Sequence, residues 1–141
     1  MKKQVEKYIP AALKAVREKL TCDEAKTQVF EEYDGYAASF GASIVTAGLL
    51  PTVSFYTNVH KKEKKAEDEN KKPRRYKMLR ALAEILRNNG RSEIGADETA
   101  LLDFVINEQN RSDRKVKSDI LAASIALKLA LRNFHHIKSG S

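Results

Sequence analysis

The sequence contains one cysteine, no tryptophan and no long apolar run. Because Cys22 is the only cysteine, a disulfide framework and a paired-cysteine metal site are both excluded. The most apolar stretch, residues 44–53, includes a glycine and a proline and is much shorter than the roughly 20 residues of a transmembrane helix. The charged residues 1–7 are not followed by the apolar segment of a signal peptide. We therefore expect a soluble, cytoplasmic protein with no membrane partner.

Strand patterns are also absent, because no segment alternates apolar and polar residues over a sustained length. Apolar residues instead recur every three or four positions along nearly the whole chain, which is the spacing of amphipathic helices. A length of 141 residues suits a single domain, residues 1–141. The sequence thus predicts an all-α fold, a compact bundle of five to six helices with a mobile charged loop between the third and fourth helices.

The predicted helices are marked by breaks in the apolar spacing. In the first, which ends near Leu20, Pro10 interrupts the pattern, and we favour a regular helix that begins near Pro10 over one that is kinked there. Gly48 is expected to end the second helix, and the almost wholly charged residues 61–72 are expected to form the disordered loop. The other helices are predicted over residues 23–47, 51–58, 76–86, 97–109 and 112–137.

The net charge of +7 is unevenly distributed along the chain. Residues 1–60 are neutral overall, residues 61–77 carry nine basic and four acidic side chains, and residues 78–110 carry three basic and six acidic ones. Residues 111–141 carry seven basic and two acidic side chains, so the positive charge lies in two separate segments. Such segments are typical of proteins that bind a polyanion, although Lys-rich segments also serve simply to keep a small domain soluble.

Basic residues follow helical spacing on the last predicted helix and on the fourth. Cations aligned on one helix face can follow the phosphates of a nucleic-acid strand, and the alternative is the ordinary solvated face of an amphipathic helix. On the last helix the aligned positions also include Leu121, Ser124 and His135, and on the fourth Glu84 interrupts them. The candidate nucleic-acid-binding residues are Arg114, Lys117, Lys128 and Arg132 on the last helix, Lys77, Arg80 and Arg87 on the fourth, and Arg74 and Arg75 at the end of the charged loop.

Patterns for catalysis and metal binding are missing. His135 and His136 are adjacent and would point about 100° apart on a helix, so they do not converge on one metal ion. Cys22 has no neighbouring histidine that would activate it as a nucleophile, and no glycine-rich phosphate-binding loop occurs. We therefore expect no catalytic residues, no metal site and no cofactor, and a protein that is not an enzyme.

Residues 31–58, EEYDGYAASFGASIVTAGLLPTVSFYTN, resemble the signature of the small subunit of type III-B (Cmr) CRISPR effector complexes. In that family a tyrosine-containing helix ends in a small-residue turn, and the next helix carries a Phe-Tyr pair. The turn differs at Ala47, where asparagine is usual, and at Pro51. We interpret the motif as packing at the corner between the two helices, with the Phe-Tyr pair filling it. The motif positions are Tyr36, Phe40, Gly48, Leu49, Phe55 and Tyr56.

The resemblance implies a non-catalytic filament subunit of an antiviral ribonucleoprotein. Members of that family stack in a few head-to-tail copies and contact the other Cmr subunits, including the Cas10-type large subunit. They bind the backbones of crRNA and target RNA through basic side chains, without reading sequence. The small subunit of type III-A complexes is a second candidate, because it is also helical and basic. If the chain does not bind RNA, its basic surface would suit an adaptor for an acidic protein. A DNA-binding regulator is disfavoured, because no helix-turn-helix spacing stands out.

Overall fold

The computed structural model describes residues 1–62 and 74–138, with the backbone alone for residues 58–62. Within these residues the prediction of a mostly helical, all-α fold is confirmed, and the fold has seven α-helices, one π-helical turn and one small sheet. The helices are α1 (Lys2–Ala15), α2 (Glu32–Ala47), α3 (Leu49–Lys62), α4 (Arg75–Arg87), α5 (Ala100–Ile106), α6 (Glu108–Ser112) and α7 (Arg114–Leu131). The π-helical turn covers Val16–Leu20, and the strands are β1 (Gln28–Phe30) and β2 (His135–Ile137).

Helix α7 lies in the core, and α1, α2 and α4 pack around it. Its side chains are buried on several faces, because α1, α2 and α4 contact it from different directions. The predicted apolar positions Val116, Ile120, Leu127 and Leu131 all lie in the core. Small residues such as Ala123 lie between them and let the neighbouring helices approach α7 closely.

Helix α1 continues through Pro10, so the prediction that the regular helix begins near Pro10 is wrong. Pro10 lies on the exposed face, where water can satisfy the carbonyl that has no N–H donor. The turns before Pro10 are held by burial, since Val5 and Tyr8 are 7% and 3% exposed. The side-chain amide of Gln4 also donates a hydrogen bond to a carboxylate oxygen of Asp119 in α7. Packing against α7 thus outweighs the cost of an interior proline.

The first part of the predicted second helix is instead a turn followed by a short strand. The carboxylate of Asp23 accepts hydrogen bonds from the backbone N–H groups of Thr27 and Gln28, both at 2.9 Å, and these bonds close the turn. Strand β1 then pairs in parallel with β2, with Gln28 opposite His135. Three-residue strands are too short to show an alternating pattern. The expectations of no strands and of a last helix that reaches residue 137 are therefore wrong.

Other helix ends also differ from the prediction. The predicted fifth helix is divided at Asn107, whose side chain accepts two backbone hydrogen bonds at the start of α6, and Asp113 caps α7 in a similar way. The third helix covers Leu49–Lys62 and does not end near residue 58. The rest of the predicted loop, 63–72, lies outside the described residues.

The corner between α2 and α3 contains the predicted glycine turn. Gly48 has a φ of 97°, a left-handed conformation that favours glycine, and its N–H donates to the carbonyl of Ile44 at 3.0 Å. Across the corner the hydroxyl of Tyr56 donates to the carbonyl of Tyr36 at 3.0 Å. Phe55 is 55% exposed, so the expectation that it fills the corner is wrong. The motif residues that do lie in the core are Phe40, Leu49 and Tyr56.

Candidate nucleic-acid interface

Four cations on α7 and its C-terminal cap have no acidic partner. Arg114, Lys117 and Arg132 are exposed, and Lys128 is half-buried. Among the described residues, no carboxylate pairs with any of these four side chains within 4.0 Å. The helix rises about 27 Å between Arg114 and Arg132. These cations are therefore available to an anionic partner along the length of α7.

The predicted single stripe of cations is divided at its middle by α2. Leu121 is half-buried and Ser124 is 2% exposed. A Cβ atom on Gly41 of α2 would lie 3.6 Å from Ser124 Oγ, so the two helices approach closely at this point. The four cations thus form two pairs, one towards each end of α7 and about 16 Å apart along its axis. His135, which was predicted on the same stripe, lies in β2 instead.

The solvent-facing side of α2, the helix that packs against the middle of α7, carries no charge over most of its length. From Gly35 to Ala47 the helix contains only neutral residues. Ala38, Ala42 and Val45 are exposed on this side. A polyanion that crosses α2 between the two pairs of cations would therefore meet small neutral side chains and no repelling carboxylate.

Two basic residues of α4 and the turn after it, Arg87 and Arg91, are engaged within the protein. The guanidinium of Arg87 donates to a backbone carbonyl in the following turn at 2.6 Å. Arg91 pairs with Asp119 of α7 at 2.9 Å. Glu84, which interrupts the predicted stripe, is 7% exposed and pairs with Lys19 at 3.5 Å. These contacts join α4 to its neighbours, so this part of the stripe stabilises the fold.

Lys77 and Arg80 lie together at a shallow surface pocket. They line it with Lys19 and Glu18. Within the described part of the chain, the Nε atom of Arg80 is buried and has no hydrogen-bond partner. Because Glu18 is in the pocket and Glu84 pairs with Lys19 beside it, the positive charge is partly neutralised. The pocket is a less favourable site for a polyanion than either end of α7.

Arg74 is buried, which corrects its prediction as a surface contact. Its side chain donates to Glu32 Oε1 at 3.1 Å. Its guanidinium carbon lies 4.0 Å from the centroid of the Phe30 ring. With 4% of the residue exposed, the charge of Arg74 is neutralised inside the protein and cannot reach a surface ligand.

The next residue, Arg75, is brought together with two aromatic rings, an arrangement that sequence reasoning missed. Its guanidinium carbon lies 5.1 Å from the ring centroid of Tyr36 and 5.2 Å from that of Phe55. Burial raises the pKa of the Tyr36 hydroxyl, which stays protonated at neutral pH. The sequence did contain an indication that one aromatic ring would be exposed here. Phe55 and Tyr56 are adjacent on a helix and point about 100° apart, so only one of them can face the core.

Reactive groups elsewhere in the described residues are isolated. Partial burial of the sulfur and the neighbouring Asp23 carboxylate raise the pKa of the Cys22 thiol, which is therefore not an activated nucleophile at neutral pH. No group of three or more histidine, cysteine or carboxylate side chains converges within the part of the chain that the structure describes. None of the described helices is both long enough and apolar enough to cross a membrane.

Comparison with known proteins gives a match that covers most of the chain. A family model described as CRISPR-associated protein (Cas_Cmr5) matches residues 4–130. No curated protein and no solved structure matches the chain. The matched range includes the corner between α2 and α3 and three of the four α7 cations, and Arg132 lies two residues beyond it.

Proposed function

The chain belongs to the CRISPR-associated Cmr5 family, and from this premise we propose that it is the non-catalytic small subunit of a type III-B CRISPR effector complex. It acts in the cytoplasm in antiviral defence and contacts crRNA and target RNA through their backbones, without reading sequence. The match to the Cmr5 family model favours this assignment over a type III-A small subunit, the other CRISPR candidate that the sequence left open.

The proposed RNA contact is supported mainly by the cations on α7 that have no acidic partner among the described residues. Binding to a nucleic-acid backbone needs positive side chains whose charge is not already neutralised within the protein. Among the described residues, Arg114, Lys117, Lys128 and Arg132 meet this condition, whereas Arg87 is engaged with a backbone carbonyl. Contacts to phosphates position a strand and carry no sequence information, which suits a subunit that must accept any guide.

The structure leaves fewer candidate RNA-binding residues than the sequence indicated. Arg75 remains in it, because its guanidinium lies over exposed aromatic surface. Lys77 and Arg80 are secondary candidates, since carboxylates lie in and beside their pocket. Arg74 is left out because it is buried against Phe30.

The proposal includes assembly with further copies of the chain and with other Cmr subunits, among them the Cas10-type large subunit. Two separate apolar surfaces support protein contacts. Ile106 on α5 is 54% exposed, and Ile125 is 42% exposed in a groove between α1 and α7 that Ile9 and Leu129 also line. Because the surfaces lie on different elements, one subunit can use both at once, as a head-to-tail stack requires.

The test of this function is a charge reversal on α7. The full chain with Arg114→Glu, Lys117→Glu, Lys128→Glu and Arg132→Glu is titrated with single-stranded RNAs of unrelated sequence over a series of salt concentrations. We expect weaker binding to every sequence, and a salt slope that falls by about 0.7 for each phosphate that the variant no longer neutralises. An unchanged affinity and an unchanged slope would refute the assignment to α7.

A matched control reverses the same number of charges elsewhere. Lys2, Lys3, Lys7 and Lys14 are exposed on α1, and their replacement by glutamate changes the net charge equally. Retained RNA binding by this control locates the contacts on α7, whereas an equal decrease in both variants would mean that only net charge matters. A native chain with no RNA affinity even at low salt would favour an adaptor for an acidic protein.

A further inference from the structure

Phe55 presents an aromatic ring to solvent beside a row of buried residues. It is 55% exposed, while Val53 and Tyr56 on the same helix are 0% and 4% exposed. Its ring centroid lies 5.8 Å from that of Tyr56, and the two planes meet at 70°. A single exposed apolar side chain is ordinary on a protein surface. What distinguishes Phe55 is the charged side chain that lies beside its ring.

That group is the guanidinium of Arg75, which lies over the Phe55 ring at 5.2 Å. Among the described residues, Arg75 forms no ion pair with a carboxylate within 4.0 Å. Its contacts with the rings of Phe55 and Tyr36 are cation–π contacts, which orient the guanidinium but leave its charge in place. Its N–H groups can therefore still donate to a phosphate oxygen.

The aromatic residues behind the pair are fixed by packing. The Tyr56 hydroxyl donates to the Tyr36 carbonyl at 3.0 Å, and the Tyr56 ring packs edge-on against Phe40 at 5.2 Å. Helices α2 and α3 are thereby joined directly beneath Phe55. A ligand that stacks on this surface meets side chains that are already positioned, which reduces the entropic cost of binding.

We propose that Phe55 and Arg75 form a stacking site for one unpaired base of the bound RNA, an inference that rests on the proposed RNA-binding function. The base stacks on the exposed surface of Phe55, and Arg75 contacts the adjacent phosphate. Stacking on an aromatic ring tolerates any base, because every base has a π-face. The site therefore adds affinity without adding sequence preference.

The surroundings favour RNA over a protein ligand at this site. A protein interface centred on Phe55 would be expected to bury it within a larger apolar patch. Here the ring is bordered by the guanidinium of Arg75 and by the buried Tyr56. The exposed side of α2 beyond Tyr36 carries no charge, and α2 packs against the middle of α7 at Gly41. A strand bound at Phe55 would therefore meet no carboxylate of α2 between Gly35 and Ala47.

The test uses a 12-nucleotide single-stranded RNA with 2-aminopurine placed at each position in turn, titrated with the full native chain. The fluorescence of 2-aminopurine is quenched when the base stacks, so binding and stacking are read separately. We expect Phe55→Ala to remove the quenching and to lower the affinity about 5- to 150-fold. The salt slope should stay unchanged, because the Phe55 ring carries no charge to neutralise a phosphate. Phe55→Tyr and Phe55→Trp should retain both the quenching and the affinity.

Gln109→Ala is the control, because Gln109 is an exposed, uncharged residue of α6 that belongs to none of the proposed contact surfaces. It should leave affinity and quenching unchanged. If native protein binds RNA and Phe55→Ala binds and quenches as well as native protein, the stacking site is refuted while the proposed function stands. If native protein does not bind RNA, both are refuted. If Phe55→Ala changes only assembly with other subunits or copies, Phe55 belongs to a protein interface and the stacking proposal is refuted.

Discussion

Arg74 and Arg75 are neighbours in the chain, yet their guanidinium groups lie in opposite environments. Arg74 is 4% exposed and is enclosed by Phe30 and Glu32, whereas Arg75 lies over the exposed ring of Phe55. Helix α4 begins at Arg75, and consecutive residues at a helix start project in directions far apart. One arginine therefore stabilises the fold, and the other is available to a ligand.

Replacement of each arginine by methionine should separate these two roles. Arg74→Met should lower the free energy of unfolding by about 1–3 kcal/mol, because the ion pair with Glu32 is removed while the Glu32 side chain remains mostly buried. Arg75→Met should lower it by no more than about 1 kcal/mol, because the half-buried side chain loses only cation–π contacts. Urea unfolding followed by circular dichroism measures both values. An Arg74→Met variant as stable as native protein would contradict the structural role of this ion pair.

RNA titration of the same two variants should give the reverse order. Arg75→Met should bind RNA more weakly and with a smaller salt slope, because one phosphate is no longer neutralised by a guanidinium. Arg74→Met should retain the affinity of native protein at temperatures where it is folded. Equal RNA affinity for both variants would contradict a role for Arg75.

The close approach of α2 to α7 at Gly41 predicts a dependence on side-chain size. Gly41→Ala should be neutral or stabilising by up to about 1 kcal/mol, since its Cβ would lie 3.6 Å from Ser124 Oγ and alanine is the better helix former. Gly41→Leu should destabilise by about 1–3 kcal/mol, because the larger side chain forces the helices apart. Urea unfolding provides the measurement. Gly35, which has no neighbouring atom within 4 Å of an added Cβ, is the control, and Gly35→Leu should be tolerated. Equal costs for the two leucine variants would argue against close packing at Gly41.

The turn closed by Asp23 should depend on pH in a defined direction. Hydrogen bonds from the backbone N–H groups of Gln28 and Thr27 and from the Thr27 hydroxyl hold the pKa of the Asp23 carboxyl below its ordinary value. Because the folded pKa is the lower one, the stabilisation is fully present above the unfolded value of about 3.9 and disappears as pH falls through the folded pKa. The amide proton shifts of Thr27 and Gln28 should therefore titrate together below that value. Asp23→Asn should abolish this titration, and amide shifts that change at a higher pH would contradict the assignment.

The long amphipathic helices could be predicted from sequence because the residues that stabilise them recur at local spacing. The apolar residues Val116, Ile120, Leu127 and Leu131 follow helical intervals, and all four are buried in α7. The turn at Gly48 could be predicted equally well, since few other residues adopt its left-handed backbone conformation. In these elements local preference and tertiary packing favour the same structure.

The parts that sequence did not indicate depend on contacts between distant segments. Strand β1 forms because it pairs with β2 at the other end of the chain, and neither strand has a pattern of its own. Helix α1 continues through Pro10 because of packing against α7. Charge spacing likewise could not distinguish the buried Arg74 from the accessible Arg75, since they are adjacent and chemically identical.

The central claim, that this chain contacts RNA inside a Cmr-type effector complex, is tested most directly by protein–RNA cross-linking in the assembled complex. The complex is purified with its other subunits and its RNA, irradiated, and the cross-linked peptides of this chain are identified by mass spectrometry. We predict cross-links in the peptides that carry Arg114 and Lys117, Lys128 and Arg132, and Phe55. Cross-links confined to the other subunits, or to the outer face of α1, would contradict the claim.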